Sequence, residues 1–309
     1  MKIFYNYIKS YFKEDFSLIT HILIGFFLVS TIFLNYYFDV YNEYFRASKY
    51  DFLSILKIFG FFCFAFFSSL IIISYFKKNK KPIANTKYIL FGLIGLFFIS
   101  LDTSYYLLKF HTLFFNSEHQ YYSFIRICAS NLMSLFSVII PLFLIYSIVK
   151  YFRPELYGLR FNGAKIKPYF WLILLMIPLV YGASFSEDFL RTYPSFNRYA
   201  FNSTELPFWQ KGILYELCYG FDFLSVELIF RGFMVVALSR FVGKDAILPM
   251  VVCYAFLHFG KPLGETIGSV FGGYILGIIA YKSRNIHGGL IVHLGVAWGM
   301  ELTAYLAMK

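Results

Sequence analysis

The chain has 309 residues, 59% of them hydrophobic and 15% charged, with a formal net charge of +11. Soluble domains run at about 45–50% and about 25% on those two measures, so a soluble globular protein is excluded and a multi-pass membrane protein is indicated. The positive balance then reflects topology and contact with anionic membrane lipid rather than nucleic-acid binding, and Lys77-Lys78-Asn79-Lys80-Lys81 reads as a short basic loop between two spans.

Apolar stretches of the length a hydrocarbon core requires, about 20 residues, run over 17–38, 52–76, 88–108, 127–149 and 168–185. Four less cleanly separated stretches follow at 212–238, 246–258, 266–281 and 286–307. The fold class is therefore all-α, a polytopic transmembrane helical bundle of about nine spans. No small-residue cleavage site follows the first span, which reads as a retained anchor rather than a signal peptide. With the N-terminus cytoplasmic, 17 Lys and Arg fall in inner segments and 8 in outer ones, which favours N-terminus in and C-terminus out. Residues 1–165 form a set of N-terminal transmembrane helices and 166–309 the core that bears the polar residues. The join, 153–167, contains Pro154, Gly158 and Gly163 and suits a short interfacial helix. Cys63, Cys128, Cys218 and Cys253 all lie in apolar segments without paired spacing, as buried thiols do.

Within the core, Val226-Glu227-Leu228-Ile229-Phe230-Arg231-Gly232 puts a carboxylate and a guanidinium into an apolar helix. A charge at the centre of a span costs about 2.5–3.5 kcal/mol on insertion scales, so it faces a partner or a watery cavity. Glu227 and Arg231 are four residues apart and can partner each other. At a rise of about 1.5 Å per residue, Glu227 lies about 20 Å from the Arg240 end of its helix, and His258 about 18 Å from the Ala246 end of the next. His293 lies about 12 Å past Asn285, within a turn or so of the same level. Gly260-Lys261-Pro262 breaks the short helix that ends at His258. Two imidazoles and a carboxylate on facing helices suit a divalent metal such as zinc, or general-base activation of water, and hydrolysis is the reaction class that follows. H-E-x-x-H, G-x-S-G and G-x-G-D motifs are absent.

The order of V-E-L-I-F-R-G at 226–232, Y-A-F-L-H at 254–258 and H-L-G-V-A at 293–297 resembles the CPBP membrane proteins. These are the CAAX-processing and bacteriocin-processing intramembrane proteases, whose motifs are E-E-x-x-x-R, F-x-x-x-H and H-x-x-x-N. The likeness extends over roughly 166–307. It implies a CPBP-like core in the C-terminal half, a plasma (inner) membrane location, and intramembrane metalloendopeptidase activity on a membrane-associated peptide or protein. It also implies Glu227, His258 and His293 as catalytic residues, metal on His258 and His293, Arg231 as the structural ion-pair partner, and Tyr254 at the aromatic position.

Two positions depart from those motifs. Val226 stands where the family has the glutamate that helps activate water, and Ala297 where it has the asparagine that helps stabilise the oxyanion. A general base contributes about 10²–10⁴ in rate and an oxyanion donor about 10²–10³, so the implied activity is reduced or lost. Neighbouring helix positions point about 100° apart, so Glu227 does not simply replace Val226. Asp222, one turn earlier, is a candidate substitute base. Glu301 shares a helix face with His293 and is expected in packing or at the outer interface, with an approach to the site as the alternative; Glu216 shares a face with Glu227 and either lines the entrance or snorkels near the outer boundary, whereas Asp102 is expected to be satisfied locally or by a neighbouring helix. The competing class is a catalytically inactive scaffold or binding protein that uses the inherited cavity to hold a partner protein, a peptide or a lipid. A transporter would need an inverted repeat that is not visible.

Overall fold

The computed structural model describes residues 2–14, 16–46, 51–77, 81–113, 122–152, 155–161, 166–195 and 207–308. Lys78 to Lys80 of the basic loop, Pro154 and Gly163 of the join, and the terminal Lys309 lie outside the described residues. The regular structure of the described residues is entirely helical. In chain order the helices are α1 (Lys2–Lys13), α2 (Leu18–Phe38), α3 (Phe52–Tyr75), α4 (Thr86–Thr103), α5 (Tyr122–Ile148), α6 (Lys167–Ala183) and α7 (Glu187–Thr192). Then come α8 (Phe208–Glu227) with a π-helical continuation (Leu228–Ala237), α9 (Ile247–Leu257), α10 (Leu263–Ser283) and α11 (His287–Ala307). Six of them, α2, α3, α4, α5, α10 and α11, are long and apolar enough to cross a membrane, and α6 is a shorter apolar helix. The protein is an all-α, multi-pass membrane protein.

Local sequence explains the starts of these helices. Ser17 and Asn85 each accept a hydrogen bond from the backbone N–H three residues on, at 3.3 and 3.0 Å, and so cap α2 and α4. The helix α1 precedes the first predicted span and is amphipathic: Phe4 and Tyr11 are buried against the bundle while Lys2, Lys9 and Lys13 stay exposed. Within the described part of the join, 155–161, the chain forms a short 3₁₀ turn (Leu156–Gly158), and a second (Lys150–Phe152) lies just before the join. Leu156, Tyr157 and Gly158 all take positive φ there, which an α-helix cannot accommodate. The four cysteines are free thiols, Cys253 buried and the other three partly so.

The short helix α9 is the centre of the core, with every residue from Ile247 to Phe256 buried. It packs between α10, α3, α2 and the π-helical segment. Broken backbone this deep in a bundle must have its polar groups satisfied by protein, and the turn after α9 shows how. Thr266 Oγ1 donates to the His258 carbonyl at 2.6 Å, Asn35 Nδ2 to that of Phe259 at 2.9 Å, and the Tyr36 hydroxyl to that of Lys261 at 2.6 Å. Helices α2 and α10 thus hold His258 and the turn behind it in place.

Candidate functional site

Glu227 ends α8 and Arg231 lies one turn on, in the π-helical stretch where Leu238 N–H bonds to the Phe233 carbonyl at 3.0 Å. Such stretches are rare inside helices and frequent at functional sites. The side chains of Glu227 and Arg231 are 0% and 1% exposed, and Glu227 Oε1 lies 3.1 Å from Arg231 Nη1. The same oxygen lies 3.1 Å from His293 Nδ1 on α11. A carboxylate oxygen paired with a guanidinium accepts, so Nδ1 carries the proton and Nε2 is the acceptor. The Tyr254 hydroxyl donates to His293 Nε2 at 3.3 Å. Arg231 closes the circuit, with its guanidinium carbon 4.1 Å from the centre of the Tyr254 ring, a cation–π contact.

His258 joins this group through Tyr254. Its Nδ1 donates to the Tyr254 carbonyl at 2.8 Å, and its ring meets the Tyr254 ring edge-on at 4.6 Å. That bond leaves His258 Nε2 as the lone-pair nitrogen. Phe223, one turn before Glu227, covers the other side of His293 at 4.5 Å between ring centres. The tight fit depends on Gly289 of α11, where a Cβ would come within 2.5 Å of Glu227 Oε2. Gly232, just past Arg231, allows a similar close approach: a Cβ there would meet the Tyr157 carbonyl at 2.6 Å.

Glu227, Arg231, His258 and His293 therefore come together, as their depths along the helices suggest. Val226 packs against the hydrophobic core, and Ala297 is buried at 4% exposure. Asp222 belongs to a different group: its carboxylate takes a hydrogen bond from Ser225 Oγ at 3.3 Å and interacts with Ser134 and Asp102. Asp102 in turn accepts from Ser137 Oγ at 2.5 Å. Among the described residues, no hydrogen bond or ion pair joins Asp222 to either histidine. Glu301 accepts from the Ser195 backbone N–H at 2.9 Å and lies in electrostatic range of Glu216, away from the histidine pair's own hydrogen bonds.

Two side chains take roles that the sequence does not announce. Tyr254 is expected as an aromatic spacer, yet its hydroxyl is bonded to His293. The Y-x-x-x-H spacing is a signal for its ring and none for its hydroxyl. Glu265, in the first turn of α10, accepts a hydrogen bond from the Tyr193 hydroxyl at 2.8 Å. No local motif marks it.

A catalytic zinc takes three protein ligands and a structural one four. Among the described residues no group of three or more His, Cys, Asp or Glu side chains is placed to hold a metal ion. His258 and His293 by themselves fall short of the set, and Tyr254 already occupies His293 Nε2.

A family model described as Rce1-like: Type II CAAX prenyl endopeptidase Rce1-like matches residues 217–299. The matched stretch contains Glu227, Arg231, Tyr254, His258, Glu265 and His293, and is consistent with the broader CAAX/CPBP-like intramembrane protease superfamily. No curated protein and no solved structure matches the chain.

Proposed function

We propose that the chain is an intramembrane peptide hydrolase of the CPBP kind, slower than a member with the complete motif, acting on a membrane-associated peptide or protein. In this reading all nine apolar stretches cross or enter a plasma membrane, with the N-terminus cytoplasmic and the C-terminus outside. The observation that carries it is the buried relay from Arg231 through Glu227 to His293, with His258 joined to it by Tyr254. Both imidazoles have Nδ1 tied down, and His293 Nε2 takes the Tyr254 hydroxyl, the arrangement that holds a general-base or hydrogen-bonding histidine in one tautomer. Glu227 works as the orienting carboxylate, because Arg231 and His293 share its Oε1 and it is wholly buried. A separate carboxylate must take the water proton while the water oxygen attacks the peptide carbonyl. That proton then passes to the leaving amine nitrogen as the C–N bond breaks. No step is routed through a metal, since the two histidines do not complete a ligand set.

The test uses purified protein reconstituted in liposomes with internally quenched reporter peptides, one farnesylated with a C-a-a-X end and one transmembrane and unprenylated. Cleavage that disappears in both His258→Ala and His293→Ala is expected. A folded wild type that cleaves neither reporter sinks the proposal. A second reading, an inactive module that holds a peptide or lipid, is favoured by Val226, Ala297 and the Tyr254 hydroxyl on His293 Nε2. Its mark is a ligand that co-purifies with the protein and survives His258→Ala.

A further inference from the structure

Three parts of the chain meet at one rim of the bundle: Glu14 in the turn from α1 into α2, the stretch Ser239–Val242 that follows the π-helical segment, and the end of α10. Between them lies a pocket of about 410 Å³ lined by Glu14, Ser239, Arg240, Tyr281, Lys282 and Arg284. Every one of these residues is polar, and Arg240, Lys282 and Arg284 are cations.

Arg284 is the fixed member of the set. It ends α10 with a left-handed φ of 54°, and its guanidinium is fully used. Nε donates to Glu155 Oε1 at 3.1 Å, Nη1 to Ser239 Oγ at 2.5 Å, and Nη2 to Glu155 Oε2 at 2.5 Å and to the Val236 carbonyl. These bonds tie the end of α10 to the end of the π-helical segment and give the pocket a set shape.

The other two cations have looser partners. Arg240 reaches Glu155 through Nη2 alone, at 3.4 Å, and Glu155 already serves Arg284. Lys282 Nζ lies 2.5 Å from Glu14 Oε1, and the Glu14 side chain is 51% exposed. A pair with one partner so exposed adds little stability, so an arriving anion can exchange with Glu14. Three cations against the carboxylates of Glu14 and Glu155 leave a net positive charge even before that exchange. Guanidinium and ammonium groups offer several N–H donors each, which suits the oxygens of a phosphate.

The surroundings favour a phosphate that carries acyl chains over a free one. Helix α1 packs on α10, with the Tyr11 and Tyr274 ring centres 5.9 Å apart. It exposes Lys2, Lys9 and Lys13 together with Tyr5 and Phe12, the composition of a helix that lies in the headgroup layer. Phe12, two residues before Glu14, stacks near Phe16 at 4.7 Å, so exposed aromatic surface begins beside the pocket. A basic pocket between helix ends at headgroup level is a site for an anionic lipid.

We propose that this pocket binds one anionic phospholipid, its phosphate held by Arg240 and Lys282 with Glu14 displaced and its acyl chains along the apolar surface beside α1. In the orientation proposed above this rim is cytoplasmic. Lipid binding here is independent of any hydrolysis at the histidine site.

The test titrates the full chain in zwitterionic detergent with dioleoylphosphatidylglycerol or dioleoylphosphatidylcholine and counts bound lipid by native mass spectrometry. Thermal unfolding without added lipid is the folding control. Wild type should hold one phosphatidylglycerol in preference to the choline lipid. Arg240→Ala and Lys282→Ala should each weaken it about fivefold, and Glu14→Gln should tighten it, because no carboxylate then competes for Lys282. Lys2→Ala removes the same charge about 18 Å from Glu14 along α1, beyond a Debye length of about 8–10 Å, and should leave binding unchanged. Equal retention of the two lipids, an equal loss in Lys2→Ala, or undiminished binding in a folded Arg240→Ala/Lys282→Ala protein overturns the site. A Glu14→Gln protein that binds no better overturns the exchange with Glu14. Release of the lipid by inorganic phosphate at matched concentration assigns the pocket to free phosphate and overturns the lipid assignment.

Discussion

Replacing Arg231 with methionine tests whether the Glu227–Arg231 pair is a true buried ion pair. The two side chains are 0% and 1% exposed and 3.1 Å apart. At an effective dielectric of about 20 that separation corresponds to a Coulomb attraction of about 5 kcal/mol, most of which is offset by the cost of taking both charges out of water. Methionine fills much of the same volume but strands the carboxylate, whose remaining partner is the His293 Nδ1–H. Removal of one member of such a pair costs about 3–5 kcal/mol. Replacement of both charges, in Glu227→Gln/Arg231→Met, should cost little more than either single change, since no charge is then left alone. Equilibrium unfolding of the four proteins in mixed micelles gives the double-mutant cycle, with an expected coupling of at least about 2 kcal/mol. An Arg231→Met protein within about 1 kcal/mol of wild type would refute the reasoning, because Glu227 would then have to be neutral or hydrated in the folded protein.

Three further outcomes follow from the same geometry. Gly289→Ala drives a Cβ to within 2.5 Å of Glu227 Oε2 and should destabilise by about 1–3 kcal/mol. Gly299→Ala on the same helix meets nothing within 4 Å and should be neutral or stabilising; equal effects of the two in micelle unfolding would contradict the packing argument. Tyr254→Phe keeps the ring under Arg231 and loses the hydroxyl on His293 Nε2, for an expected net cost of about 0.5–1.5 kcal/mol, and a stabilised variant would show that bond to be unfavourable. Purified wild type, assayed by elemental analysis after dialysis, should hold zinc well below one ion per chain. Val226→Glu adds a carboxylate to the two imidazoles and should raise the content toward about one ion per chain, in a manner lost on His258→Ala. Stoichiometric zinc on the wild type would overturn the ligand-count argument.

Much of this architecture is legible in the sequence because membrane spans are written locally. A run of Phe, Ile and Leu long enough to cross hydrocarbon announces a helix wherever its neighbours lie, so helices appear at each of the predicted stretches. The i, i+4 spacing of Glu227 and Arg231 likewise lies within one helix, and a constant rise per residue brings His258 and His293 to a common depth. Within the described part of the join, Leu156 and Tyr157 turn left-handed, so no α-helix runs through them. The π-helical stretch is invisible too, since it reflects how Leu228–Ala237 fits its neighbours rather than any residue in it.

The sequence by itself determined the class of protein, the position of its long apolar helices, and which charges would have to be paired inside the membrane. All of these follow from the cost of exposing polar groups to lipid, which each segment meets on its own. Only the tertiary structure decided which oxygen meets which nitrogen. It bound His293 to both Glu227 and Tyr254, turned Asp222 toward Ser225 and Asp102, and used Thr266 of α10 to hold the His258 carbonyl in the turn after α9. Those pairings join side chains on different helices, and the packing angles that set them are fixed by the whole bundle, not by any one stretch of chain.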